Sequence, residues 1–227
     1  PNPVAGLHAA GSLAWIAIGL VLLLLALLIN DMVLLHGVHN SDMLIADNVA
    51  IATFEAGSFL ACGLLLRTTL TGDGYGFADG LALTCLYWAL AQFLLLVFCY
   101  IYRCLTVFDD HLALKEGNVA AGLSGGLTLV ALAIVMSFPI MYFASILLFL
   151  PVALTGTVVL MIIRKLSDKF ILPGDDLDKE IGNDQNWGAA LIEGAVAVGL
   201  AYISNSYVPP PGAPFVSSDI DYFDVCD

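Results

Sequence analysis

Long apolar runs separated by short polar breaks occupy almost the whole chain. A helix needs about 20 mainly apolar residues to cross roughly 30 Å of hydrocarbon. Six stretches reach that length: residues 12–35, with a very apolar centre at 16–29, then 48–70, 80–105, 118–137, 140–163 and 186–204. The pattern predicts an all-α, polytopic membrane protein with six transmembrane helices. Pro139 should separate the fourth span from the fifth by a tight turn, and Pro151 should kink the fifth. The segment TGDGYGFADG at 71–80 reads as turns, because its glycines and aspartates cannot continue a helix.

The polar positions recur as well. Asn48, Asn118 and Asn186 open the even-numbered spans at near-equal spacing. Counted from each Asn, the residues two, four, eight, thirteen and fifteen places on are small in all three copies. The fourth and eighth are Ala52 and Ala56, Gly122 and Gly126, Ala190 and Gly194. An Asp precedes each Asn by six or eight residues: Asp42, Asp110 and Asp178. The unit is an apolar helix, an acidic linker and a small-residue helix, giving three parallel two-helix repeats at about 12–70, 80–138 and 140–204. The small positions at four, eight and fifteen fall within about 40° on one helix face. Such a face lets backbones approach closely, so the even helices should form a packed inner layer of a compact bundle with pseudo-threefold character. The odd helices, with Leu runs and aromatics such as Tyr87, Trp88 and Phe93, should face lipid. The three Asn residues should act as helix N-caps.

Composition sharpens this picture. Hydrophobic residues make up 60% of the 227 and charged ones 12%, about half the usual charged share of roughly 25%. Mean hydropathy is +0.93. These values exclude a disordered chain and an ordinary soluble enzyme. Seven Lys+Arg against 20 Asp+Glu leave a net charge of −13, which repels nucleic acid and anionic headgroups. Arg103, Lys115, Arg164, Lys165, Lys169 and Lys179 all follow odd-numbered spans, and Arg67 alone follows an even one. By the positive-inside rule the odd-to-even loops are cytoplasmic and both termini external. The chain opens at Pro1 without Met, which fits removal of an initiator Met or of a longer leader. The five cysteines show no CxxC spacing and read neither as a disulfide framework nor as a zinc site.

The stretches FDDHLALKEGNVAAGLSGG and DLDKEIGNDQNWGAALIEGAVAVGLA, each an acidic linker, an Asn and an Ala/Gly-rich helix, resemble the YjfL-like family of small bacterial inner-membrane proteins, a domain of unknown function. The likeness is best over 106–133 and 175–201 and weaker over 42–64. The Gly-rich loop and the tail after Asn205 depart from it. The resemblance implies a bacterial inner membrane and a multi-pass fold, and it supplies no activity and no catalytic residues.

Candidate chemistry is sparse. Glu55 and Glu193 both stand seven residues after their Asn, about 10 Å into the slab. An acid there is costly and normally faces a partner, a bundle interior or a wet cavity. The pair could form a proton or cation site, or each could serve as hydrogen-bonded glue between helices. The second reading is the plainer, because no intramembrane Lys or Arg partner is visible. His36, His39 and Asp42 in one linker, and Asp109, Asp110 and His111 in the equivalent one, match no defined metal motif and read as solvated loops. The acidic Pro-rich tail, 205–227, would normally be disordered. A neighbouring subunit is the leading candidate for anything that orders it. No nucleophile–base pair, P-loop, dinucleotide fingerprint or HExxH motif is present. No cofactor or metal is expected. The expected function is a structural or scaffolding subunit in the bilayer, packing with copies of itself or with other membrane proteins. The alternative is an ion or proton channel or transporter using Glu55 and Glu193.

Overall fold

A computed structural model of the protein describes residues 3–36, 40–70, 76–105, 109–142, 146–171 and 176–206. Helix is the only regular secondary structure among them: α1 (Pro3–Leu34), α2 (Asn40–Ile45), α3 (Val49–Thr69), α4 (Phe77–Leu105), α5 (Asp110–Lys115), α6 (Val119–Tyr142), α7 (Ile146–Ile171), α8 (Leu177–Gly182) and α9 (Trp187–Ser206). Five helices among the described residues are long and apolar enough to cross a bilayer, in α1, α3, α4, α6 and α9. In α7 the apolar stretch is shorter, Phe149–Ile162.

The boundaries between the fourth and fifth expected spans shift. Pro139 does not separate them. It lies inside α6, which continues to Tyr142. A proline near a helix end removes one backbone bond, and a helix can absorb that loss where its neighbours pack against it. α7 begins at Ile146 and continues through Pro151 to Ile171, past the expected end at 163.

The acidic linkers are also more ordered than a solvated loop. Each contains a six-residue helix, α2, α5 or α8, with Asp42, Asp110 or Asp178 in its first turn, where a negative charge suits the helix dipole. Asp109 and Asp176 cap α5 and α8 through their side chains. Leu114, Leu177 and Ile181 turn inward and are buried.

The core is built on α6. Of the residues in the apolar stretch of α6, 67% are buried, against 22% for α1 and 28% for α4. α3 packs along one side of α6 and α9 along another. Among the described residues α3 and α9 do not pack along each other, so the three form a row with α6 at its centre. The expectation is a compact bundle with pseudo-threefold character, and the row places α6 between the other two instead.

Glycine sets the α3–α6 distance. A Cβ on Gly57 would stand 2.3 Å from the Cα of Gly126, and one on Gly122 would stand 2.2 Å from the carbonyl oxygen of Ala50. Those neighbours are backbone and cannot rotate away. On the α9 side a Cβ at Gly194 would meet only the Leu127 side chain, at 2.2 Å. Successive contacts advance in the same direction on both helices, Gly122 with Ala50 and Gly126 with Gly57, so α3 and α6 run parallel.

Gly57→Ala and Gly122→Ala should each destabilise the protein by about 2 kcal/mol or more, as overpacking of a rigid contact does. Gly194→Ala should cost less, because Leu127 can change rotamer. Gly63→Ala should be nearly neutral, since its Cβ would enter open space. Unfolding of the purified variants in detergent, followed by loss of helical signal, measures this order.

Candidate functional site

The three Asn residues sit at equivalent joints. The Asn48 side chain accepts from the Ile51 N–H at 3.1 Å, Asn118 from Ala121 at 3.1 Å and Asn186 from Ala189 at 3.2 Å. Each satisfies an N–H that its helix leaves orphaned. Their amide groups reach further. Asn48 donates to the carbonyls of Leu114 and Lys115 at the end of α5, and Asn118 donates to those of Ile181 and Gly182 at the end of α8. Each of these two therefore ties its own helix to the short helix of the following unit. Asn186 instead donates to the Glu180 carboxylate, on the short helix just before it, at 2.9 Å.

Glu55 and Glu193 occupy different helix contacts. Glu193 is 3% exposed. It accepts from the Ser124 hydroxyl of α6 at 2.8 Å, and Ser124 also contacts the Tyr102 hydroxyl of α4 at 3.2 Å. Glu55 is half-buried beside Asp31 of α1, with which it shares a hydrogen bond. The amide of Asn40, from α2, donates to Glu55 and also bonds Asp31. The Asn40 Oδ1 is sealed from solvent and has no hydrogen-bond partner among the described residues.

Next to this pair lies a fully buried polar cluster. Asn30 of α1 donates to Ser58 at 2.7 Å and to the Cys62 sulfur at 3.2 Å, both on α3, and Gln92 of α4 donates to Asn30. Sequence reasoning passed over Asn30 and Gln92, although a carboxamide inside an apolar run is a signal in itself. The crevice between the cluster and the acid pair, lined by Asn30, Asp31, Glu55 and Ser58, is too tight for a water molecule. A cavity of about 20 Å³, room for roughly one water, lies among Tyr102, Thr128, Arg103 and His111.

At the end of α4, Arg103 donates to the Leu34 carbonyl of α1 at 3.2 Å and lies 3.7 Å from the Asp110 carboxylate. The rings of His36 and His111 meet edge to face at 5.3 Å. His39 lies outside the described residues, as does the tail from 207 onward. Among the described residues, no three His, Cys, Asp or Glu side chains come together as a metal site. Burial holds His111 below its ordinary value of 6.5, and the Arg103 charge and His36 act in the same direction, against Asp109.

This predicts an acid-sensitive contribution to stability. Well above pH 6.5 His111 is neutral in the folded and unfolded chain alike. As the pH falls further, the unfolded chain takes up a proton that the folded one resists, so stability drops until the folded pKa is reached. The melting temperature should therefore decline between about pH 7 and 5.5, and His111→Gln should flatten part of that slope. Thermal melts of the two proteins across this range measure it.

No curated protein and no solved structure matches the chain. One family does, over residues 4–73 and 76–208, which is most of the sequence. With its apolar helices, Asn-headed small-residue helices and match over most of its length, the chain belongs to the family described as Domain of Unknown Function (DUF350).

Proposed function

We propose that the protein is a structural, scaffolding subunit of a membrane assembly, packing with itself or with other membrane proteins and performing no chemistry of its own. The observation that carries this reading is the state of the intramembrane acids. Glu193 is spent on a helix–helix hydrogen bond, and the crevice beside Glu55 is too tight for water. Acids held in helix contacts serve cohesion, and a transport path needs a continuous polar route. In this reading α7 also crosses the bilayer, completing six spans in three parallel repeats, with both termini external and the linkers cytoplasmic. The resemblance noted in the sequence supports a bacterial inner membrane as the site of the assembly.

Gentle detergent extraction followed by mass analysis of the intact particle tests the reading. A particle of fixed stoichiometry with more than one chain is expected. A lone chain would overturn it.

The Asp31–Glu55–Asn40 cluster favours a second reading, a proton or monovalent-cation site within a channel or transporter. Its two carboxyls stand side by side, and among the described residues the Asn40 oxygen beside them lacks a donor. Purified protein in liposomes separates the two. The scaffold reading expects no proton or cation flux above empty vesicles. The transport reading expects a flux that Glu55→Gln and Asp31→Asn each lower by about tenfold or more, the scale of 1.4 kcal/mol.

A further inference from the structure

The α3–α6 and α6–α9 contacts use the same two faces in the same order. One face carries the residues two, nine and thirteen places after the Asn. On α3 these are Ala50, Gly57 and Ala61, all buried, with Gly57 pressed against α6. On α6 the residue at nine is Leu127, which meets Gly194 of α9. The other face carries the residues at four, eight and fifteen. On α6 this is Gly122, Gly126 and Ala133, and on α9 it is Ala190, Gly194 and Ala201, again buried. In both contacts the residue at nine on the earlier helix opposes the residue at eight on the later one: Gly57 with Gly126, and Leu127 with Gly194.

One copy of each face is left over. On α3 the later-type face, Ala52, Ala56 and Gly63, is open, and a Cβ at Gly63 would meet nothing. On α9 the earlier-type face is open at Ala195 and Gly199, with Gly188 half-buried beside the Asn186 side chain, and a Cβ at Gly199 would meet nothing. The hydrogen bonds repeat the asymmetry independently. Asn48 and Asn118 each donate to the last carbonyls of the next short helix. Asn186 is exposed, and among the described residues no further short helix follows it. Among the described residues no side chain donates to the last carbonyls of α2, where Ile45 is 82% exposed.

We propose that a second copy of the chain seats the open face of its α3 on the open face of α9. The Asn186 amide then turns from Glu180 to the Leu44 and Ile45 carbonyls of that copy's α2. The proposal rests on the scaffold reading and names its partner. The occupant is another copy because each chain carries both halves of an interface it already makes twice, and because parallel helices keep both copies in one membrane orientation. A contact between two different faces is heterologous, so copies add head to tail and give a ring if the rotation closes or a filament if it does not.

The register predicts the closest pair. Residue eight of the arriving α3 is Ala56, and residue nine of α9 is Ala195. With Cys85→Ala, Cys104→Ser and Cys226→Ser as background, Ala56→Cys and Ala195→Cys are made singly and together, and oxidised in native membranes. The double variant should give a ladder of disulfide-linked oligomers, ending at a fixed rung for a ring and running on for a filament. Coexpressed single variants should give dimers and nothing larger, and each single variant alone should give monomer. Self-linking of either single variant, or a cross-link from Ala195→Cys to a different protein, overturns the proposal. So does the absence of linked product from the double variant. Intact-particle mass of the unoxidised background protein separates the two failures: a multi-chain particle leaves the scaffold reading standing, and a lone chain removes both. Should the double variant fold poorly, as judged by helical signal, Ala195→Trp is the second arm. It should reduce the particle to single chains with helicity retained, and an unchanged particle would overturn the proposal.

Discussion

The backbone contact between α3 and α6 is the constraint on which the rest of the molecule depends. In hydrocarbon, two helices gain little from burying apolar side chains that lipid would solvate equally well, so association rests on close packing and on hydrogen bonds. Gly57, Gly122 and Gly126 remove the side chains that would hold these helices apart, and what meets there is main chain against main chain. A contact so close fixes the register of both helices to within a residue. It leaves α6 free to receive α9 on another side through Gly194, and it sends the large side chains of α1 and α4 outward, where Leu20, Leu24, Phe93 and Tyr100 are exposed.

The joints between short and long helices supply the second constraint. Asp47, Gly117 and Gln185 immediately precede the three Asn residues, and all have positive φ, at 57°, 82° and 51°. At the first two joints the Asn N–H bonds the carbonyl five residues back, and the residue before it bonds the carbonyl three back. That is the Schellman arrangement for closing a helix. Glycine reaches this conformation freely, whereas Asp and Gln reach it at some cost. One Asn therefore closes a short helix with its backbone and opens a long one with its side-chain oxygen. Asn48 and Asn118 also hold the next short helix with their amides. The joint couples each unit to its successor, so the units cannot pack independently of one another.

Much of this was legible in the sequence, and the reasons are physical. A residue type forced by geometry leaves a mark: Asn at a cap, small residues where helices touch, apolar runs of membrane length. The short helices were harder to see, because six residues are too few for a periodic pattern, and an acidic linker looks the same whether it is solvated or capped. Asp109 and Asp176, each opening such a helix, carried the signal that was missed. The end of α6 was misread because Pro139 breaks a helix in water more reliably than it does in a packed membrane protein. The acid pairing could not be read at all. Glu55 meets Asp31 and Asn40 through three different helices, and the angle between helices is not written in the spacing along any one of them.

The contrast between Glu55 and Glu193 follows from the same row of helices. Both stand one residue before a small position that serves close packing, Ala56 or Gly194. At Gly194 the packing partner is present, so Glu193 is carried against α6, where Ser124 meets it and water is excluded. At Ala56 no small-residue helix among the described residues takes that place, so Glu55 turns toward α1 and α2 and stays half-buried beside Asp31 and Asn40. A neighbour seated on that face by the proposed register would place Ile192, six residues after its Asn, where Ser124 stands for Glu193. An aliphatic side chain there offers no hydrogen bond and removes solvent. The acid pair would then keep Asn40 as its neighbour in a drier setting than the single chain gives it. Assembly would thus change the surroundings of both carboxyls through this one contact, because an apolar wall raises the cost of any charge they carry.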